Sequence, residues 1–329
     1  MNLDSRTSEL ASKHGANWKT ISGAKVLIGK GGKIIAGMGG KFANLADTKK
    51  GANASGGGSF AFTEKSSMGY WLGEEKTKEL ESIVNASPMS ELWTKHANDV
   101  PMIGDHKGVG YYDPMSKAIH FHKDKTHDSG QIGNYGTIVH EMSHAIDFKL
   151  GFKSEYKTVS YAHKYKDGAF LKAINQDVDQ RVRERQLSIK AEFNELKKSG
   201  KTPKEITTTL LEKKYIDYKD ALKVEANIAK GKMPLVNAKM AQKSIGRELF
   251  GQELRVVSDV YGSVTQNNAR GGYGHSTAYY RDPENRSAEA FAQMCTATAT
   301  NKLALAKVKE YLPTAYGVYE EIIADMDKL

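Results

Sequence analysis

The chain has 329 residues, of which 39% are hydrophobic, and its formal net charge is +9. This length exceeds that of most single domains, so we predict one enzyme-sized domain with additional segments and a sizeable core. The single cysteine, Cys295, excludes an intrachain disulfide and a zinc cluster of thiolates, and no apolar run approaches the length of a membrane span.

Residues 1–62 are predicted to form a glycine-rich amino-terminal segment outside the enzyme core. The first ten residues, MNLDSRTSEL, lack the basic-then-apolar pattern of a secretion signal, so we expect a soluble protein made in the cytoplasm. Over residues 18–40, short β-branched runs alternate with glycine, which indicates one or two small β-hairpins. The sequence GKGGK lacks the spacing of a phosphate loop. Residues 51–60, GANASGGGSF, have the composition of a flexible linker.

The predicted globular domain, residues 63–329, begins with two helices and a hairpin. The helices are separated at Pro88, and Ser90 is expected to cap the second one. The sequence GVGYYDPMSKAIHFHK then predicts a β-hairpin that turns at Asp113 and Pro114. We expect the strand AIHFHK to have an open edge that pairs with an extended peptide.

The sequence HEMSH, residues 140–144, is an instance of the H-E-x-x-H pattern. On a helix, His140 and His144 lie one turn apart on the same face, so both imidazoles can bind one zinc ion. Glu141 projects to the side, which is the position of a general base for a water activated by the metal. The alternative is a pair of core histidines on an amphipathic helix.

The neighbours of this pattern predict a buried helix. Apolar residues surround both histidines, Asn134 or Thr137 can cap the start, and Gly151 can end the helix. Asp147 lies three residues beyond His144. We expect it to accept a hydrogen bond from the second ring nitrogen of a ligand histidine and so to fix its tautomer.

A long insertion, about residues 155–250, is almost wholly helical in pattern and strongly basic. Residues 151–250 contain 22 Lys and Arg against 13 Asp and Glu, whereas the rest of the chain contains 26 of each. The sequence AQKSIGRELFGQELRVVSDVYGSV, which follows, has the apolar face of a core helix. The basic excess is interpreted as a solvated helical face. The alternative is non-specific contact with DNA or with another acidic surface.

A third zinc ligand is predicted at Glu289, within the sequence RSAEAFAQM. Ser287 can cap a short helix there, and the apolar residues that follow would turn Glu289 inward. A buried carboxylate without a partner is costly, and a zinc ion would remove that cost. The alternative is an ordinary first-turn glutamate favoured by the helix dipole. Glu284 and His275 are the next candidates for this ligand.

Three other residues are interpreted as structural. His120 and His122 share one face of the strand AIHFHK, but no third ligand accompanies them, so we expect surface or cleft residues. Cys295 lies beside Met294 in an apolar run, which favours a buried, unreactive thiol.

HEMSHAID, followed far downstream by GGYGHSTAYYRDPENRSAEAFAQM and KVKEYLPTAYGVYEEI, resembles the carboxy-terminal metallopeptidase domain of bacteriophage minor head proteins, which is related to the catalytic domain of anthrax lethal factor. The resemblance covers residues from about 87 to the end. It implies an α+β fold that is mostly helical, zincin-like and of the gluzincin type, with a small β-sheet. It also implies that His140, His144 and Glu289 bind zinc and that Glu141 is the base.

The same family places a tyrosine shortly before the ligand glutamate. Tyr279 is the best match, and Tyr280 is adjacent to it. Peptide hydrolysis requires a donor that stabilises the developing oxyanion, and either Tyr279 or His275 could supply that hydrogen bond.

The overall prediction is a zinc-dependent endopeptidase carried on a bacteriophage head-associated protein, with Zn²⁺ as cofactor and a protein or peptide as substrate. The expected partners are capsid or portal proteins, with weak DNA contact through the basic insertion and no membrane. The expected location is the phage virion or the host bacterial cytoplasm. Two alternatives stay open: a structural minor head protein with an inactive peptidase-like domain, and an injected effector protease that acts on host proteins. The linker at residues 51–60 could enter the peptidase cleft, so self-processing is a further hypothesis.

Overall fold

The computed structural model describes residues 17–21, 24–28, 34–38, 59–63, 68–104, 106–108, 110–125, 133–154, 160–232 and 236–329. Contacts within the chain divide it into two compact units, residues 1–57 and residues 58–329. Most of the predicted linker, residues 51–58, lies outside the described residues.

The first unit contains the small hairpins that the alternation of glycine and β-branched residues predicts. Its three strands are β1 (Asn17–Ile21), β2 (Ala24–Ile28) and β3 (Ile34–Met38). They form an antiparallel sheet in the order β1-β2-β3, with an irregularity in register between Leu27 and Ile28.

The second unit is built mainly from helices, which confirms the predicted mostly helical α+β class. In chain order its elements are α1 (Met68–Leu72), α2 (Glu74–Asn85), α3 (Ser90–His96), β4 (Met102–Ile103), β5 (Tyr111–Asp113), β6 (Ala118–His120), α4 (Gly136–Lys153), α5 (Tyr161–Lys164), α6 (Ala169–Lys198), α7 (Pro203–Glu212), α8 (Tyr218–Ala229), α9 (Ala238–Glu248), α10 (Arg255–Val264), α11 (Pro283–Thr300), α12 (Lys302–Tyr311) and α13 (Pro313–Met326). Short 3₁₀ turns occur at Ala97–Asp99 and Tyr279–Arg281.

Helices α4 and α11 pack against each other at the centre of the main core. In α4, Ile138, Val139, Met142 and Ile146 are all at most 2% exposed, so this helix is buried on several sides. In α11, Phe291 and its neighbours are equally buried. Because close-packed side chains enclose both helices, polar side chains on their facing sides are held at a fixed distance from each other. A helix on the surface has fewer neighbours to fix that distance.

The ends of α4 differ from the predicted ones. Neither Asn134 nor Thr137 caps the helix, since the residue before its first turn is Tyr135, which is in the left-handed region with φ of 60° and makes no side-chain cap. The helix also continues past Gly151 to Lys153. A glycine can end a helix, but burial of Leu150 and Gly151 in the core favours continuation here.

Neither Ser90 nor Ser287 caps the helix for which it was predicted. The hydroxyl of Ser90 donates to Asn85 Oδ1 at 2.9 Å and does not cap α3. Helix α11 begins earlier than expected, because Asp282 accepts a hydrogen bond from the Glu284 backbone N–H at 2.9 Å, with proline at the first helical position. Ser287 therefore lies inside the helix. Asp before Pro is the stronger start signal, since the proline has no N–H to satisfy.

The second sheet has the order β4-β6-β5, which corrects the predicted open edge. Strand β6 pairs with β4 in parallel and with β5 in antiparallel register, so it is the central strand. The predicted hairpin of β5 and β6 is present, but among the described strands its free edge belongs to β5. The sequence could not reveal this because β4 is only two residues long.

The insertion is helical, as predicted, and has a small hydrophobic cluster of its own. Phe193, Ile206, Leu210, Ile216 and Ile228 form this cluster. The apolar stretch expected to be one helix is divided into α9 and α10 around residues 249–254. Among the described helices, none is long and apolar enough to cross a membrane.

Candidate metal centre

Three side chains from α4 and α11 converge on one point, and we call His140, His144 and Glu289 the metal triad. The two histidine Nε2 atoms lie 3.2 Å apart. Glu289 Oε2 lies 3.3 Å from His140 Nε2, and Glu289 Oε1 lies 3.5 Å from His144 Nε2. The structure thus brings together the two histidines of the HEMSH sequence and a glutamate from a distant part of the chain.

The metal triad has the donor atoms and the charge that a cation requires. Its three ligand atoms lie within 4.8 Å of one another, and Glu289 Oε2 is buried without a hydrogen-bond partner. Burial raises the pKa of Glu289, but the charge of His144 and the close contacts with both histidine rings outweigh burial and hold this pKa well below its usual range. Two imidazoles and one carboxylate suit a borderline metal ion and leave a coordination position open.

His144 responds to the same negative potential. Burial lowers its pKa, but the charge and hydrogen bond of Glu289 outweigh this and raise the pKa to about 9. The triad therefore favours a positive charge between its members, whether carried by a proton or by a metal ion.

Glu141 lies beside the metal triad and is held by the edge strand. Its Oε2 accepts a hydrogen bond from the backbone N–H of Tyr112 on β5 at 2.8 Å, and the residue is 8% exposed. Burial raises the pKa of Glu141, although the two neighbouring histidines oppose this effect. The contact with Tyr112 fixes the carboxylate against β5 and next to the open cleft.

Tyr279 and His275 approach Glu289 from the loop before α11. The Tyr279 hydroxyl donates to Glu289 Oε1 at 2.7 Å. His275 stacks on the Tyr279 ring with centroids 4.5 Å apart, and its Nε2 lies 3.8 Å from the same oxygen. Burial and the Glu289 carboxylate raise the pKa of Tyr279, so it remains a protonated donor. The hydroxyl of Tyr280 instead donates to Asp259, so of the two adjacent tyrosines Tyr279 is the one whose hydroxyl contacts the triad.

Asp259, on α10, is a site residue that sequence reasoning missed. It is 1% exposed, and it accepts hydrogen bonds from the Tyr280 hydroxyl, from Gln293 Nε2 at 2.9 Å and from the His275 backbone N–H at 3.3 Å. One carboxylate thus connects α10, the loop that carries His275, and α11 one turn beyond Glu289. The available signal was an aspartate within the apolar sequence RVVSDVYGSV.

Asp259, His275 and Glu289 form the second group, among the described residues, that could hold a metal ion. The two oxygens of Asp259 already accept hydrogen bonds, whereas Glu289 Oε2 in the metal triad has no partner. This difference favours the metal triad as the cation site.

Asp147 does not form the predicted hydrogen bond with His144. Its Oδ1 accepts from the backbone N–H of Ala162 at 2.8 Å, and both its Oδ2 and His144 Nδ1 are buried atoms without a partner. Burial raises the pKa of Asp147 to about 6, although hydrogen bonds from Ala162 and Ser160 oppose the shift. Asp147 therefore connects α4 to the start of α5, because its carboxylate accepts from the Ala162 N–H there instead of from His144.

The remaining candidates lie apart from the metal triad. Glu284 accepts from the backbone N–H of Ser160 at 2.7 Å. His120 stacks on Tyr111, with centroids 4.7 Å apart, and His122 Nδ1 accepts from a neighbouring backbone N–H. None of these three belongs to a group that could hold a metal in the described part of the chain. Cys295 is buried, and burial raises the pKa of its thiol to about 12, as expected for an unreactive thiol.

The metal triad opens into a cleft of about 620 Å³ between β5, α4 and the loop before α11. Aromatic side chains form much of its wall; they are Tyr111, Tyr112, Phe148, Tyr273 and Tyr279. A concave cleft that combines aromatic walls with convergent titratable groups is a usual form of a ligand or substrate site.

Comparison of the chain with protein-family models, with curated proteins and with solved structures finds no match.

Proposed function

We propose that the chain is a zinc-dependent endopeptidase with a zincin-like, gluzincin-type domain. The observation that carries this proposal is the approach of Glu289 to His140 and His144, with Glu141 beside them at the base of an open cleft. Bound zinc would supply Lewis acidity, which polarises a peptide carbonyl and lowers the pKa of the attacking water. His140, His144 and Glu289 would hold the ion.

Glu141 is the proposed general base. Its carboxylate borders the cleft, and the hydrogen bond from Tyr112 N–H orients one oxygen while the other remains available. It would accept a proton from the attacking water and transfer it to the departing amine, since one carboxylate can serve both steps in turn.

Tyr279 and His275 are the proposed donors toward the developing oxyanion. Both line the cleft, and both lie within 4 Å of Glu289. The stacked imidazole supports the tyrosine ring, so the hydroxyl has a defined position. A preorganised donor of this kind typically contributes about 10²–10³ in rate.

The edge strand β5 supplies the proposed backbone docking site for an extended peptide. In an antiparallel pair, successive residues direct their N–H and C=O groups to opposite sides of the strand. Because Tyr112 N–H donates to Glu141 instead of β6, the Tyr112 carbonyl faces the cleft as well. A substrate peptide can pair with that carbonyl by β-augmentation.

The proposed setting is a bacteriophage head-associated protein, and its support is the sequence resemblance given above. Capsid or portal proteins are the proposed partners, and the virion or the host cytoplasm is the proposed location. A structural protein with an inactive peptidase-like domain would have no use for an oriented Glu141. The presence of this residue beside the metal triad therefore favours the enzyme over that alternative.

Metal analysis of purified protein, combined with hydrolysis of a mixed peptide library, tests the proposal. We expect about one zinc per chain, loss of zinc in His140→Ala and His144→Ala, and retention of zinc without hydrolysis in Glu141→Gln. His120→Ala is the matched control, since this histidine lies outside the metal triad, and it should keep its zinc. Equal zinc content in all the variants would refute the metal site, and an active Glu141→Gln variant would refute the base.

A further inference from the structure

Two cavities adjoin at a single side chain near the metal triad. The cleft of about 620 Å³ lies on one side. On the other side is a shallow depression of about 340 Å³ that is largely open to solvent, which we call the back cavity, bordered by Phe250, Arg255 and residues 271–273. Tyr273 is the residue that lines both of these cavities. Its ring is therefore the partition between them.

Tyr273 is flanked by three glycines, so it carries the one side chain of its segment. The sequence of residues 271–274 is GGYG, which we call the glycine strap. A Cβ added to Gly271 would lie 2.1 Å from the Leu249 carbonyl oxygen, and one added to Gly274 would lie 2.7 Å from Asp259 Oδ1. Gly272 and Gly274 also have positive φ of 119° and 140°. The strap thus packs too closely on its neighbours for a side chain at any of its three glycine positions.

Tyr273 is held through its backbone and through one face of its ring. Ser258 Oγ donates to the Tyr273 carbonyl at 3.1 Å and accepts from the Gly271 N–H at 2.7 Å. The Arg255 guanidinium carbon lies 3.4 Å from the ring centroid on the side of the back cavity. A cation stacked on an aromatic face stabilises the ring in place. These contacts stabilise the Tyr273 ring in one orientation between the two cavities.

We propose that Tyr273 is a specificity-determining residue, whose ring closes the cleft and limits the substrate side chain docked against it to small or medium size. This inference rests on the proposed peptidase function and deepens it. Removing the ring would join the cleft to the back cavity and would also uncover the guanidinium of Arg255. The enlarged site should then accept large aromatic side chains and acidic ones, the latter by pairing with Arg255.

The test compares Tyr273→Ala with Tyr273→Phe, which keeps the ring and serves as the matched control. A peptide library that varies one position among Ala, Val, Phe, Trp and Glu is digested by each zinc-loaded protein. For Tyr273→Ala, we expect kcat/KM for Trp and Glu peptides relative to Ala peptides to rise about tenfold or more, the usual scale for pocket selectivity. Tyr273→Phe should keep the wild-type preference. An unchanged preference in a folded, zinc-containing Tyr273→Ala protein would overturn the proposal.

A second measurement separates this inference from the proposed function. The same library is captured on the Glu141→Gln protein with and without Tyr273→Ala, and the bound peptides are identified by mass spectrometry. The wild-type protein could fail to hydrolyse any peptide while the captured peptides still shift toward Trp and Glu. That result would refute the peptidase function and support the proposed role of Tyr273. If the captured peptides do not shift, or if neither protein captures any peptide, the proposed role of Tyr273 is refuted. Should Tyr273→Ala fail to fold, Tyr273→Leu replaces it and must shift preference in the same direction.

Discussion

Replacement of Asp259 by alanine is expected to destabilise the fold by about 4 kcal/mol. The Tyr280 hydroxyl and Gln293 Nε2 both donate to this carboxylate in the interior, where Tyr280 and Gln293 are each 3% exposed. Without Asp259, Gln293 Nε2 has no acceptor, and the Tyr280 hydroxyl exchanges a carboxylate for His275 Nδ1, which lies 3.3 Å away. A buried donor without a partner costs about 1–3 kcal/mol, and the loss of a charged acceptor by the tyrosine adds a similar amount, so the two together account for the expected loss.

Asp259→Asn should cost less than about 1 kcal/mol, because its neighbour can adapt. The introduced asparagine keeps one oxygen for the Tyr280 hydroxyl, and its amide N–H₂ then faces Gln293. The Oε1 of Gln293 is buried without a partner. Rotation of the Gln293 amide would present that oxygen to the introduced N–H₂ group and restore a hydrogen bond at little cost.

Urea unfolding followed by circular dichroism measures these differences at fixed zinc concentration, because bound metal itself adds stability. The double variant Asp259→Ala/Tyr280→Phe removes the hydroxyl that has lost its charged acceptor and should regain about 1–2 kcal/mol relative to Asp259→Ala. The reasoning is refuted if Asp259→Ala loses less than about 1 kcal/mol, or if Asp259→Asn loses as much as Asp259→Ala.

Three further predictions concern metal affinity, acid stability and self-processing. Glu289→Ala should weaken zinc binding at least tenfold in a competition titration while far-UV circular dichroism stays unchanged; an unaltered affinity would mean that another residue is the third ligand. Burial, aided by the charge of Lys149, lowers the pKa of His96 to about 4. The neutral His96 side chain therefore stabilises the folded state fully above pH 6.5. This stabilisation, up to about 3 kcal/mol, is lost as the pH falls from 6.5 to 4. His96→Leu should abolish that part of the pH dependence of the unfolding free energy. If the amino-terminal linker is a substrate, intact-mass measurement of stored zinc-loaded protein should show a cut near residues 40–62 that is missing in Glu141→Gln; equal masses for both proteins would exclude self-cleavage.

Local sequence determined two of the three members of the metal triad. The spacing of His140 and His144 places them one turn apart on any helix, and the apolar residues around them require that helix to be buried. The same short-range rules predicted the hairpin of β5 and β6 and the helical character of the insertion. These features depend on residues within about ten positions of one another, so periodicity and turn residues suffice to identify them.

Helix ends were less accessible to sequence reasoning, because several nearby residues compete for each cap. Asp282 caps α11 in place of Ser287, and α4 begins at a left-handed Tyr135 without a side-chain cap. At α11 the stronger local signal, Asp before Pro, decides the start, whereas α4 begins without a side-chain cap and is stabilised by its burial in the core. Propensity contributes about 1 kcal/mol per cap, which tertiary contacts readily exceed.

Only the tertiary structure decided how distant parts of the chain meet. Glu289 faces the two histidines because α11 packs along α4, and β5 became the edge strand because the two-residue strand β4 occupies the other side of β6. The hydrogen bonds of Asp259 and the position of Tyr273 between two cavities likewise join segments that the sequence leaves apart. Such contacts arise from the close packing of a shared core, where the position of each side chain depends on all its neighbours and not on its own segment.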